Sequence, residues 1–238
     1  MPKFLIQFLA AFIPVKSWRK NFRKKMNRNN LFGDLKTVFT EIKTKRDTVL
    51  MHKDSCQIIA LGSSHGAYGL NPEFIGKNCF NLCTNSQDLY TSKEVLKYMQ
   101  QKLPHLKTVL VCLDVFTRGW CLERTSAAHI CASYQYLYGI RYPLFKDNHR
   151  YLKTCEKLDK QTLQFTANKN GYLYPNPLNL TDSLQTRIQG HLREHNREQS
   201  QYHYLTEMIQ SLGRDINLYI LIAPVRSDYQ KSLPKNLL

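Results

Sequence analysis

A chain of 238 residues that is 42% hydrophobic and 22% charged can bury a full core, and these proportions exclude a disordered or low-complexity class. Its 34 Lys and Arg against 18 Asp and Glu give a formal net charge of +16. Such a field favours an anionic partner: nucleic acid, an acidic membrane face, or an anionic glycan or its phosphate-bearing precursor. The seven cysteines are odd in number, form no C-x-x-C pair and sit mostly in apolar runs, which points to reduced thiols rather than a disulfide framework.

The charge is concentrated at the start. Lys3, Lys16, Arg19, Lys20, Arg23, Lys24, Lys25 and Arg28 occur within residues 1–30 without a single acid. The remainder is only mildly basic and carries no recognisable nucleic-acid module, so no nucleic-acid partner is expected. The apolar run Phe4 to Val15 precedes this basic stretch. It is too short to span a bilayer as a helix, which takes about 20 residues. Its order, apolar before basic and without a cleavage site, is the reverse of a secretory signal. Beyond Pro14, Trp18 and Phe22 are spaced for one helical face. The segment reads as an in-plane anchor through which residues 1–28 bind an anionic membrane surface, placing the protein on the inner face of the membrane. The other reading is a helix that packs on the main domain and leaves a basic face in water.

Further along, Leu35, Val38, Phe39 and Ile42 form one stripe and predict a helix over 31–50. Fully apolar, β-prone runs follow at 56–62, 79–83, 107–116 and 217–225, with a helix over about 88–102 that Pro104 ends. Strands buried on both faces and separated by helices predict an α/β fold: a three-layer domain with a short parallel sheet. Residues 118–213 form a large insertion, aromatic-rich and then helical. The expected organisation is a basic N-terminal helical extension over 1–50 and one α/β domain over 51–238.

Ligands of such sheets bind beyond the carboxyl ends of the strands. Two polar clusters lie there, Gly62-Ser63-Ser64-His65 and Leu113-Asp114. Other signals carry less. His191 to His195 match H-x-x-E-H, a zinc-binding spacing on a helix, but they lie in a strongly polar segment that reads as a solvated face, so no metal is expected. Cys79 and Cys83 read as buried packing. Neither a G-x-G-x-x-G nor a P-loop occurs, and no cofactor is expected.

The strand ending in "GSSH" at 62–65, "FNLCTNSQDLY" at 80–90 and the strand ending "CLDVF" together resemble the SGNH (GDSL-like) hydrolase superfamily, in its branches tied to bacterial surface polysaccharides. The resemblance covers residues 55–118, with an echo at 217–229. It implies a flavodoxin-like sheet and a nucleophile at Ser64, with Ser63 in place of the usual aspartate. It implies an oxyanion hole from the backbone N–H groups of Ser64 and Ser86, although Cys83 and Ser86 stand where the family carries glycines. The third block, "LDVF", lacks the family's asparagine. The family's general base belongs to a D-x-x-H block, which this chain lacks, so in the family's terms it reads as C-terminally incomplete and its base is unknown. Asp147-Asn148-His149 is the nearest local imitation, which makes His149 a candidate, whereas the ring of His65, adjacent to the nucleophile, is expected to point elsewhere. The expected activity is that of a serine esterase or O-acyltransferase acting on a glycan or acyl-ester substrate. The alternative is a non-catalytic, membrane-associated binding or assembly protein of a surface-glycan pathway.

Overall fold

The computed structural model describes residues 16–125, 127–145, 149–161, 170–173, 184–222 and 227–233, with side chains from residue 34 onward. The apolar anchor run and His149's neighbours Asp147 and Asn148 therefore lie outside the described residues. In chain order the elements are α1 (Lys16–Met51), β1 (Ile58–Gly62), α2 (Ser64–Gly69), β2 (Cys79–Asn81), α3 (Leu89–Gln100), β3 (Thr108–Leu113), α4 (Cys131–Tyr138), α5 (His149–Asp159), α6 (Leu184–His195), α7 (Tyr202–Ser211), β4 (Asn217–Ile222) and α8 (Ser227–Lys231).

The strands form one parallel sheet in the order β2-β1-β3-β4, the α/β arrangement that the alternation of apolar strands and helices predicts. Their apolar residues split by parity. Ile59, Leu61, Val109 and Val111 enter the main core with Phe80 and Leu82, while Ala60, Leu110 and Cys112 face the other side, against Ala67 of α2 and Leu173. Burying a side chain such as Leu61 in that core contributes about 1.5–3 kcal/mol. Small residues line the second side because α2 presses close. A Cβ on Gly66 would meet the Cys112 Cβ at 2.9 Å.

Helix α1 starts far earlier than the apolar stripe alone predicts, and runs unbroken for 36 residues. Its second half lays Leu35, Phe39, Ile42 and Val49 into the main core, at the spacing of one helical face. Truncating Phe39 to Ala would leave a cavity costing about 3–5 kcal/mol. The insertion between β3 and β4 supplies α4 to α7, and α4, α5 and α7 extend the same core.

Two strand predictions are corrected. The third strand stops at Leu113 instead of running to 116, because Asp114 N–H donates to Thr117 Oγ1 (2.7 Å) and Thr117 N–H to Asp114 O (3.1 Å), which folds the chain into a turn. The fourth strand is not buried on both faces: Tyr219 is 56% and Ile222 81% exposed, and among the described strands it is an edge strand that pairs with β3 alone. Among the described residues no helix is long and apolar enough to cross a membrane.

Candidate active site

Register fixes the site. Pairing of Gly62 with Cys112 sets the ends of β1 and β3 side by side, so the turn after Gly62 and Asp114 emerge together at the carboxyl edge. Gly62 makes that exit with φ at 145°, and a Cβ there would meet the Cys112 carbonyl oxygen at 2.6 Å, so glycine is required. Ser63 is the N-cap of α2. Its hydroxyl accepts from His65 N–H at 3.4 Å and donates to Asp114 Oδ2, and the residue is buried. Ser63 is thus occupied in holding the turn.

His65 turns its ring inward, contrary to the expectation that it points away. Its Nδ1 bonds the other oxygen of Asp114. The Asp114 side chain is 1% exposed and that of His65 40%, so a buried carboxylate holds an imidazole that still reaches solvent. Burial works against the imidazolium, but the hydrogen bond and charge of Asp114 outweigh it, and the His65 pKa rises above its usual value. Arg187 on α6 pulls weakly the other way. With Nδ1 committed to Asp114, Nε2 has no hydrogen-bond partner among the described residues.

Ser64 is the first residue of α2, where a backbone N–H has no helical acceptor. Neither its N–H nor its hydroxyl is hydrogen-bonded among the described residues. In the segment after β2, Ser86 adopts φ of 66°, the left-handed conformation that favours glycine. The Ser86 carbonyl accepts from Trp120 Nε1 at 2.9 Å, while its N–H also lacks an acceptor among the described residues. Asn81, by contrast, is a structural clamp: its amide donates to the carbonyls of Gly66 (2.9 Å) and Leu70 (2.8 Å), and its oxygen accepts from Cys83 N–H (2.9 Å).

Helix α6 closes one side, which corrects its reading as a solvated face. His195 Nδ1 bonds the Val115 carbonyl at 2.7 Å. His191 packs its ring on Phe116, with centroids 4.7 Å apart, and stands edge-on to His65 at 6.1 Å. Its Nδ1 lies 2.6 Å from the hydroxyl of Tyr229. Burial, helped by the charge of His65 across the gap, pushes the His191 pKa down to about 4. His191 is therefore a neutral imidazole at neutral pH. Among the described residues no group of three or more metal-ligating side chains gathers here or elsewhere.

His149, the candidate base, is not at this site. It stands exposed at the start of α5, in a cavity with Gln135, Tyr136, Leu152, Lys153 and Glu156. The residues that sequence reasoning passed over are Asp114 as a partner, His65 as a ring turned inward, and His191 and Tyr229. The strand end at Leu113-Asp114 signalled Asp114 and the H-x-x-E-H spacing signalled His191, while nothing in the sequence signalled Tyr229 or the direction of the His65 ring. All seven cysteines are free thiols. Burial pushes those of Cys56, Cys79 and Cys155 up to about 12, so they are inert packing. No family model matches the chain, and no curated protein or solved structure matches it.

Proposed function

We propose that the protein is an SGNH-like serine esterase or O-acyltransferase acting on a bacterial surface polysaccharide or its precursor, held at the inner face of the membrane by residues 1–28. One observation carries the reading: at the end of β1 a Ser64 whose hydroxyl and N–H have no partner among the described residues adjoins an imidazole that Asp114 orients. The segment after β2 that carries the Ser86 N–H is tied to that strand end through Thr84 N–H on the Gly62 carbonyl. These are the parts that acyl transfer needs, namely a nucleophile, donors for an oxyanion and a base held by a third group.

In this reading Ser64 Oγ bonds to the acyl carbonyl carbon while its proton passes, directly or through one water, to His65 Nε2. The negative charge that forms on the carbonyl oxygen is met by the two N–H groups. Collapse breaks the ester bond, and the departing alcohol takes the proton from Nε2. Water or a sugar hydroxyl then attacks the acyl-serine, giving its proton to Nε2, from which Ser64 Oγ recovers it. Asp114 keeps Nδ1 protonated throughout, leaving Nε2 as the atom that exchanges protons.

A fluorophosphonate probe tests this. Wild type and Ser63→Ala should be labelled and Ser64→Ala should not. The competing reading, a non-catalytic glycan-binding or assembly protein, draws on the absence of any hydrogen bond between Ser64 and His65. Failure of wild type to react under any pH would favour it.

A further inference from the structure

The turn that carries Ser86 is gripped from below by two charged side chains that the core would ordinarily exclude. Glu41 and Lys45, one turn apart on α1, are each 2% exposed. Lys45 Nζ lies 3.6 Å from Glu41 Oε1 and donates to the backbone carbonyl of Cys83. The Asn85 backbone N–H lies close enough to favour the ionised form of Glu41, although Oε1 has no hydrogen-bond partner among the described residues. Other bonds hold the rest of the turn. Thr84 N–H donates to the Gly62 carbonyl at 3.1 Å, its hydroxyl bonds that of Tyr134, and Trp120 holds the Ser86 carbonyl. Among the described residues the backbone N–H of Ser86 is a donor without an acceptor, on a residue whose left-handed backbone must be imposed by its surroundings.

A buried ion pair is a poor means of stabilising a core, because apolar residues of like volume serve at least as well. Its presence beneath this turn calls for a different role. We propose that Glu41 and Lys45 are positioning residues, which fix the Cys83–Asn85 backbone so that Ser86 is held left-handed with its N–H presented to the site. This rests on the acyl-chemistry reading for what that N–H does, though not for how it is held. Burial raises the Glu41 pKa and lowers that of Lys45, while each charge opposes the shift of the other.

The experiment uses the full chain and two variants. Glu41→Met with Lys45→Met replaces the pair by adaptable apolar side chains. Glu41→Gln keeps an acceptor for Asn85 N–H while Lys45 still donates to Cys83. The double variant gains well-packed apolar side chains but leaves the buried Cys83 carbonyl unpaired. It should therefore melt within a few degrees of wild type yet react with a fluorophosphonate about tenfold more slowly, since a displacement of about 1 Å can cost up to about a hundredfold. Its Ser86 Cα and amide resonances should move away from left-handed values, whereas Glu41→Gln should keep them and react within about twofold of wild type. A stable double variant with unchanged Ser86 resonances and an unchanged rate overturns the proposal. If wild type itself does not react, the acyl-chemistry reading falls, and the Ser86 resonances alone decide positioning. Should the double variant fail to fold, the wild-type Ser86 amide decides: an order parameter near 0.85 supports the grip, and one below about 0.6 overturns it.

Discussion

Replacing Asp114 by Asn separates the electrostatic role of this carboxylate from its shape. In the wild type one oxygen accepts from Ser63 and the other bonds His65 Nδ1, with the carboxylate 1% exposed. Asparagine keeps one carbonyl acceptor and loses the charge. A hydrogen bond to a charged group contributes about 1.5–3 kcal/mol, and the half-exposed His65 ring lies at the lower end because water screens it. We therefore expect a loss of about 1–2 kcal/mol at pH 5.5, which lowers the melting temperature by about 2–8 °C in a chain of this size.

The dependence on pH carries the test. His65 has a folded pKa raised above its ordinary value of 6.5, so its contribution is fully present below 6.5 and is lost as pH rises through the folded pKa. In Asp114→Asn the influences that remain, burial and Arg187, both depress that pKa. Protonation then disfavours the folded state instead of favouring it, and the gap between variant and wild type should widen from pH 8 to pH 5.5. Histidine ring NMR should show the His65 titration moving from above 6.5 to below it. A stability loss that is equal at both pH values, or a His65 pKa that stays raised in the variant, would refute the reasoning.

Ser86→Gly should stabilise the fold by about 1 kcal/mol, because the left-handed backbone at φ of 66° costs a serine about that much, as chemical denaturation would show. Gly62→Ala should lower stability by several kcal/mol through collision with the Cys112 carbonyl, and a change below about 1 kcal/mol would mean the edge is more pliant than its register implies. Thiol titration of the unfolded, unreduced protein should find all seven cysteines free, and a count near one would establish disulfides. Deleting residues 1–28 should abolish sedimentation with anionic vesicles, and added salt should weaken binding of the whole chain. Equal binding to neutral vesicles would exclude the electrostatic part.

The fold was legible because its strands are apolar on both faces, a signature that parallel sheets share and that survives without any partner in view. Edges were less so: neither the turn of Asp114 onto Thr117 nor the exposure of β4 can be read from strand propensity, since both depend on what lies alongside. The strand-end turn at Gly62–His65 was legible because small residues must crowd where a strand hands over to a helix against Cys112. The inward direction of the His65 ring was not, because it is set by a tertiary contact. Asp114 lies 49 residues from His65 in sequence and meets it only through the register of β1 on β3. Search for a motif downstream consequently led to His149, whose neighbourhood is the outer face of α5. Glu41 and Lys45 did leave a signal that went unused. Lys45 falls three residues after Ile42 and four before Val49, on the very stripe whose other members fill the core. A charge at a core position of an otherwise regular amphipathic helix has to be met by a partner inside, and here that partner is the backbone of the turn carrying Ser86. The same reasoning applied to His191, an imidazole one turn from the buried Ile188, leads to Tyr229 and the aromatic wall of the site. Polar residues placed where the periodicity demands apolar ones therefore marked the site more faithfully than the missing motif did.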